Sequence, residues 1–211
     1  MGRAGWSIQN LLSHASADPC GNLSRVRVPL LSAACTVATI LAAGCGSQTH
    51  SAAPSKTASA AALKGSPPTL AKLHAQANDL LSGGAKAFQA RLQSLRGHAV
   101  VVNMWASWCG PCQSEFPSYQ RASIAYGRQV AFLGIDAKDQ TPAAAAFLRK
   151  FPVSYPSYVD PNGSIAAAIN AYTAYPQTFF FDRSGRKVYD KAGPYLSASE
   201  LDKDIRRYAL G

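Results

Sequence analysis

The sequence predicts one α/β domain over residues 69–211, and three observations carry that prediction. Ala99–Trp105 (AVVVNMW) and residues 129–136 (QVAFLGID) are apolar, β-branched runs of the kind that make central strands buried on both faces. Between them Phe116, Tyr119, Ile124 and Tyr126 recur at helical spacing, with Pro117 expected to bend that helix. After them, residues 177–182 and 186–190 flank a DRSG turn and read as a hairpin. About 140 residues are enough for one domain with a substantial core, and no internal repeat is visible.

The segments before the domain read as targeting rather than fold. Residues 1–24 are polar and mixed, as expected upstream of a start codon nearer residues 23–28, the alternative being a long natural n-region. Over residues 25–44, Arg25 and Arg27 precede an apolar stretch that ends in LAAGC, which makes a charged n-region, an h-region and a small-residue processing site. Cys45 stands just after the cut, where a bacterial lipoprotein signal needs its lipidated cysteine; Ala42 occupies the position where leucine is commoner. The alternative is an uncleaved anchor, for which the run is shorter than the roughly 20 residues that span a bilayer. Either reading tethers the domain outside the cytoplasm. Residues 45–68 are rich in Ala, Ser, Thr and Pro without periodic hydrophobics, and read as a flexible spacer in which His50 and the lysines have no specific task.

Within the domain, Leu70, Leu73, Ala77, Leu80 and Leu81 fit one helical stripe stopped by Gly83 and Gly84, and Phe88, Leu92 and Leu95 suggest a second helix. Thr141-Pro142 opens an alanine-rich helix to about Phe151. The stretch VSYPSYVDPNGS supplies a short strand and turn, and a helix follows from Ile165 to about Tyr172. Residues 197–208 form an amphipathic closing helix capped by Ser197 or Ser199.

The chemistry is concentrated in WASWCGPC, residues 105–112, at the strand-to-helix junction. Two cysteines separated by two residues at a helix start can exchange a disulfide: unpaired N–H groups and the helix dipole favour the thiolate of Cys109, expected to be exposed and to attack, while Cys112, expected to be more buried, waits one turn in to resolve. Gly110-Pro111 permits the tight turn, and a proline in the first helical turn forfeits no bonded N–H. The same spacing supplies half of many zinc sites, but no cysteine or histidine follows Cys112, and the nearest upstream histidine, His98, lies beyond the first central strand. With the leader removed, Cys20 and Cys35 vanish and three cysteines remain: Cys45 and the pair.

The run VVNMWASWCGPCQSEFP resembles the TlpA and ResA type of thioredoxin-like thiol:disulfide oxidoreductase. Asn103, Trp105, Trp108, Cys109, Cys112, Glu115 and Pro117 occupy that family's motif positions, and YPQTFFFDRSG is similar to its second landmark. The likeness covers roughly residues 85–210 and implies a central mixed β-sheet flanked by helices, with the segments between residues 141 and 172 as the TlpA-type insertion. It implies a cis Pro176 whose backbone edge pairs with a partner, Tyr175 as the neighbour that contacts the sulfurs, and Trp108 as an apolar shield and docking surface. Cytoplasmic thioredoxins carry a buried aspartate where this chain has Asn103. Asparagine cannot take a proton, so Glu115 inherits the role of exchanging it with Cys112; the alternative is a surface glutamate favoured by the helix dipole.

These features point to an extracytoplasmic thiol:disulfide oxidoreductase, lipid-anchored to the bacterial cell membrane. It is expected to reduce protein disulfides, fed by a membrane electron donor, with no cofactor beyond the Cys109–Cys112 disulfide and no metal. Cytochrome c maturation, repair of misoxidised proteins and a dedicated client all use this constellation. A thiol peroxidase of the same fold is a second class, though such enzymes carry a lone or differently spaced cysteine near an arginine. A metal-chaperone module is a third, though copper carriers of this kind use CxxxC and a downstream histidine. The formal net charge of +10 falls to +8 without residues 1–44, and it is spread over isolated basic pairs. These read as solvated faces or as weak attraction to anionic headgroups, not as a nucleic-acid surface.

Overall fold

The computed structural model describes residues 55–171 and 174–211. The expected signal segment, Cys20, Cys35, Cys45 and the first ten residues of the expected spacer lie outside the described residues. Six strands form one mixed sheet: β1 Leu80–Leu81, β2 Ala99–Trp105, β3 Val130–Ala137, β4 Ser157–Asp160, β5 Gln177–Phe181 and β6 Lys187–Ala192, in the order β1-β4-β3-β2-β5-β6. The first four run parallel, whereas β5 and β6 are antiparallel to their neighbours. Every residue of β2 and β3 is buried, as their unbroken apolar runs require of the two middle strands.

Alternation along β2 sorts the core into two faces. Val101 and Trp105 point to the side of Phe116 and Tyr119 on α4 (Gly110–Tyr126), Phe147 on α5 (Thr141–Lys150), and Leu201 and Ile205 on α7 (Ala198–Ile205). Val100, Val102 and Met104 point to the other side, against Leu70 and Leu73 of α2 (Pro68–His74), Phe88 of α3 (Gly84–Ser94) and Ile165 of α6 (Ser164–Ala168). The strands approach closely at Gly134, where a Cβ would lie 2.0 Å from Ser157 Oγ and 3.0 Å from Trp105 Nε1. That space lets the Trp105 indole donate to Ser157 Oγ at 3.1 Å while its ring stacks on Phe147 at 4.8 Å.

Four segments differ from the sequence reading. The stripe expected over Leu70–Leu81 is divided: α2 ends at His74, Asn78 adopts a left-handed φ of 65°, and Leu80 and Leu81 form edge strand β1. The Asn78 amide donates to the Tyr155 carbonyl at 3.1 Å and the Ser157 amide to the Asp79 carbonyl at 2.9 Å, so sheet pairing outcompetes helical continuation there. Part of the expected spacer is helical: Ser55 caps α1 (Lys56–Ala62), and Leu63 after it is buried. The helix expected to about Tyr172 ends at Ala168, just before Asn170 at φ 52°. The closing helix keeps the Ser197 cap, its hydroxyl accepting from the Glu200 amide, but its last turn, Arg206–Leu210, is π-helical.

The segments between β3 and β5 are more than a peripheral insertion, because β4 adds to the sheet beside β3 and receives β1 on its other side. The consequence for the site is topological. The chain leaves the end of β2 for the CxxC turn, and Gln177, just after Pro176, is registered with Met104 at that same end. Segments far apart in sequence are therefore delivered to one end of the central strands.

Candidate active site

Cys109 and Cys112 form a disulfide with their Cα atoms 5.2 Å apart. Cys109 is the N-cap of α4, with an extended backbone, and its Sγ accepts a hydrogen bond from the Cys112 amide at 3.2 Å. A sulfur in that position takes the place of a capping oxygen, and a thiolate there gains both the bond and the favourable end of the helix dipole. Gly110 and Pro111 form the first helical turn, where the missing proline N–H costs nothing. Helix α4 then continues through Pro117 to Tyr126.

The sequence reading expected an exposed Cys109; in the disulfide it is 4 % exposed and Cys112 is fully buried. Bonded to Cys112, Cys109 lies within the cluster that contains Trp105 and Phe116. It is still the more accessible of the two. Trp108 beside it is 57 % exposed, its indole donating to the Lys138 carbonyl at 3.2 Å and meeting the Tyr175 ring edge-on at 5.4 Å. The Tyr175–Pro176 peptide is cis, and the Pro176 carbonyl accepts from the Gly193 amide at 3.0 Å.

Glu115 lies one turn beyond Cys112 on the same helix face, the i,i+3 relation that brings side chains together. It is completely buried, so the surface-glutamate alternative is overturned. Its Oε2 accepts from the Tyr195 amide at 2.9 Å, while Oε1 has no hydrogen-bond partner among the described residues. Burial pushes this carboxyl up from 4.5 to about 7, against the Tyr195 amide bond and the Lys191 charge, which both pull it down. Asn103 is buried on the strand beneath, in one cross-sheet row with Gly134, Thr178 and Lys191. In that row the Thr178 hydroxyl is hydrogen-bonded to the Tyr119 hydroxyl at 2.5 Å, and burial pushes the Tyr119 phenol well up.

A second group of acids carries no motif in the sequence. The Asp139 carboxylate accepts from the Ser107 amide at 2.5 Å, the Ser107 hydroxyl at 3.0 Å and the Gln140 amide at 2.7 Å, fixing the turn that precedes Cys109. Asp136, registered opposite Trp105 and nearly buried, is pushed up to about 8 by burial and by Asp139. The signal for Asp139 is weak in sequence, since an acid just past a strand usually caps a local turn. Tyr195 and Lys191 leave no local trace either, because the first lies 80 positions from Glu115. Among the described residues no group of three or more His, Cys, Asp or Glu is placed to hold a metal ion.

What this arrangement can do is exchange electrons two at a time between its own dithiol and another. Comparison with known proteins agrees. The AhpC/TSA family model matches residues 74–189. A thiol:disulfide interchange protein, a DsbE homolog of Paracoccus denitrificans, is 38 % identical over 97 residues, 46 % of this chain and 51 % of that protein. The thiol-disulfide oxidoreductase ResA of Geobacillus kaustophilus is 28 % identical over 135 residues, 63 % of this chain and 73 % of that one. The crystal structure of a thiol:disulfide interchange protein of DsbE type from Chlorobium tepidum superposes with a TM-score of 0.52 at 26 % identity, covering 57 % of this chain and 85 % of that one. The chain thus spans about half the length of the Paracoccus protein.

Proposed function

The chain belongs to the AhpC/TSA family and has its thioredoxin-like fold, and from that membership we propose that it is a thiol:disulfide oxidoreductase that reduces disulfides in other proteins. The observation that carries the reading is a disulfide whose outer sulfur caps a helix and whose inner sulfur sits one turn from a buried carboxyl at about 7. In the dithiol form, Cys109 thiolate attacks one sulfur of the substrate disulfide, and the first substrate thiolate leaves and takes a proton. Cys112 gives its proton to the Glu115 carboxylate, and the resulting thiolate attacks Cys109 Sγ, releasing the second substrate thiolate. The second substrate thiolate takes a proton from the Glu115 carboxyl, so the substrate has gained two electrons, with one proton from solvent and one from Cys112 by way of Glu115, and the Cys109–Cys112 disulfide remains. An external dithiol donor at the membrane returns it to the working form.

The location that suits this chemistry is outside the cytoplasm, on a lipid attached to Cys45, supported by Arg25, Arg27, the apolar run and LAAGC. Cys45→Ala is expected to abolish lipid labelling and either release the protein or leave an unprocessed precursor. Normal labelling of that variant would exclude the lipoprotein reading.

The oxidoreductase reading is tested by removing the resolving thiol. Cys112→Ser is expected to accumulate covalent, dithiothreitol-sensitive adducts with extracytoplasmic proteins, and Cys109→Ser to trap few. CxxCH motifs in the trapped proteins would point to cytochrome c maturation, and scattered cysteines to general repair. Equal trapping by both variants would reverse or abolish the assignment of attacker and resolver. No adducts from either, together with rapid peroxide consumption by the unaltered protein, would favour a peroxidase.

A further inference from the structure

We propose that Lys191 is a positioning residue of the exchange reaction: it clamps the loop that holds Glu115 and keeps that carboxyl able to ionise. The inference rests on the reading of Glu115 as the proton acceptor of Cys112 and names what controls it.

Lys191 is the last-but-one residue of β6, paired with Thr178 and so in the cross-sheet row that includes Asn103. Directly paired residues project from the same face, here the face covered by α4. A lysine in such a row needs partners for its ammonium. Nζ donates to the Pro194 carbonyl at 2.9 Å, reaches the Gly193 carbonyl at 3.5 Å, and stands 4.8 Å from the centre of the Tyr195 ring. Three consecutive residues are gathered by one side chain, and the amide of the third is the donor to Glu115 Oε2 at 2.9 Å.

The groups facing Glu115 come from every element around it. Cys112 and Tyr119 lie on α4, Tyr155 precedes β4, Tyr195 follows β6 with its hydroxyl donating to Asp204 of α7 at 2.8 Å, and Lys191 is on β6. Burial pushes the three tyrosines up, so they stay neutral at physiological pH. Among the described residues, Lys191 is the one whose positive charge acts on this carboxyl. It does so in two ways: through space, and by holding the amide that solvates the carboxylate. Burial acts the other way, against ionisation of Glu115.

The test compares Lys191→Met, which keeps the stem and loses the charge, with Lys191→Arg, which keeps the charge. Two quantities are read on each intact protein: the midpoint of the Glu115 carboxyl by carbon-13 NMR, and the pH profile of disulfide exchange. In Lys191→Met the midpoint is expected to rise by about one pH unit, as loss of a nearby opposite charge predicts, and the rising limb of the exchange profile to follow it. At pH 7 this reads as a several-fold slower exchange, with Lys191→Arg close to the parent. In a Glu115→Gln background, Lys191→Met should leave the profile where Glu115→Gln alone put it. An unmoved Glu115 midpoint in a folded Lys191→Met protein overturns the proposal. So does a Lys191→Arg variant that behaves like Lys191→Met. A midpoint that moves while exchange does not follow leaves Lys191 coupled to Glu115 but overturns its role in exchange, because it removes Glu115 as the proton acceptor.

Discussion

The exchange proposed for this protein rests on Cys109, Cys112 and Glu115, three side chains at the start of α4. Cys109 and Cys112 are legible because their chemistry is written in four consecutive residues. Glu115 is legible only by its helical distance from Cys112; its burial is not, since that depends on Tyr195 and Lys191 arriving from 80 and 76 positions away. Gly134 shows the same limit from the packing side, as an unremarkable residue inside an apolar strand. An added Cβ there meets Ser157 Oγ at 2.0 Å and Ser157 Cβ at 2.9 Å; the hydroxyl can turn away only by giving up its bond from Trp105, and the Cβ cannot turn away at all. Gly134→Ala is therefore expected to destabilise the protein by about 1–3 kcal/mol, the usual range for overpacking, seen as a lower denaturant midpoint. Ser157→Gly on top of it should recover part of the loss; if the single variant is as stable as the parent, the close approach of the strands at Gly134 is wrong.

At the level of elements, legibility follows burial and length. Strands β2 and β3 are buried on both faces, so their sequences are unbroken apolar runs whose ends can be read to within a residue or so. The hairpin β5–β6 is marked by its turn, where the Asp182 carboxylate accepts from the Ser184 and Arg186 amides at 2.9 and 3.0 Å. By contrast, β1 is two residues long and its leucines also satisfy a helical stripe; only its pairing with β4 decides, and that partner is 77 positions away. Helix α1 hides in an alanine- and serine-rich stretch because a short helix with little apolar surface looks like a spacer. The site is readable where these segments are not because its elements are the long, buried ones.

For the molecule as a whole, a buried acid makes stability depend on pH in a direction opposite to the usual one. Folding raises Glu115 from 4.5 to about 7, so its contribution is full below 4.5 and is lost as pH climbs through 7. That amounts to about 3 kcal/mol, each pH unit between the two values being worth about 1.4 kcal/mol, and Asp136, raised to about 8, acts in the same direction. The disulfide form is thus expected to lose stability steadily between pH 5 and 8, and Glu115→Gln to flatten that slope in denaturant titrations; an equally steep decline in the variant would remove Glu115 as its source. The sheet order has a consequence for biosynthesis too. Strand β2 lies between β3, which follows soon after it, and β5, which is made more than seventy residues later. A chain emerging from the ribosome or translocon therefore presents both thiols well before residues 191–195, the loop that surrounds Glu115, exist. Until then Glu115 lacks the Tyr195 amide and the Lys191 charge that act on it. The surroundings proposed to tune the Cys109–Cys112 pair are thus assembled late, and a chain stopped before residue 191 would carry both cysteines without them.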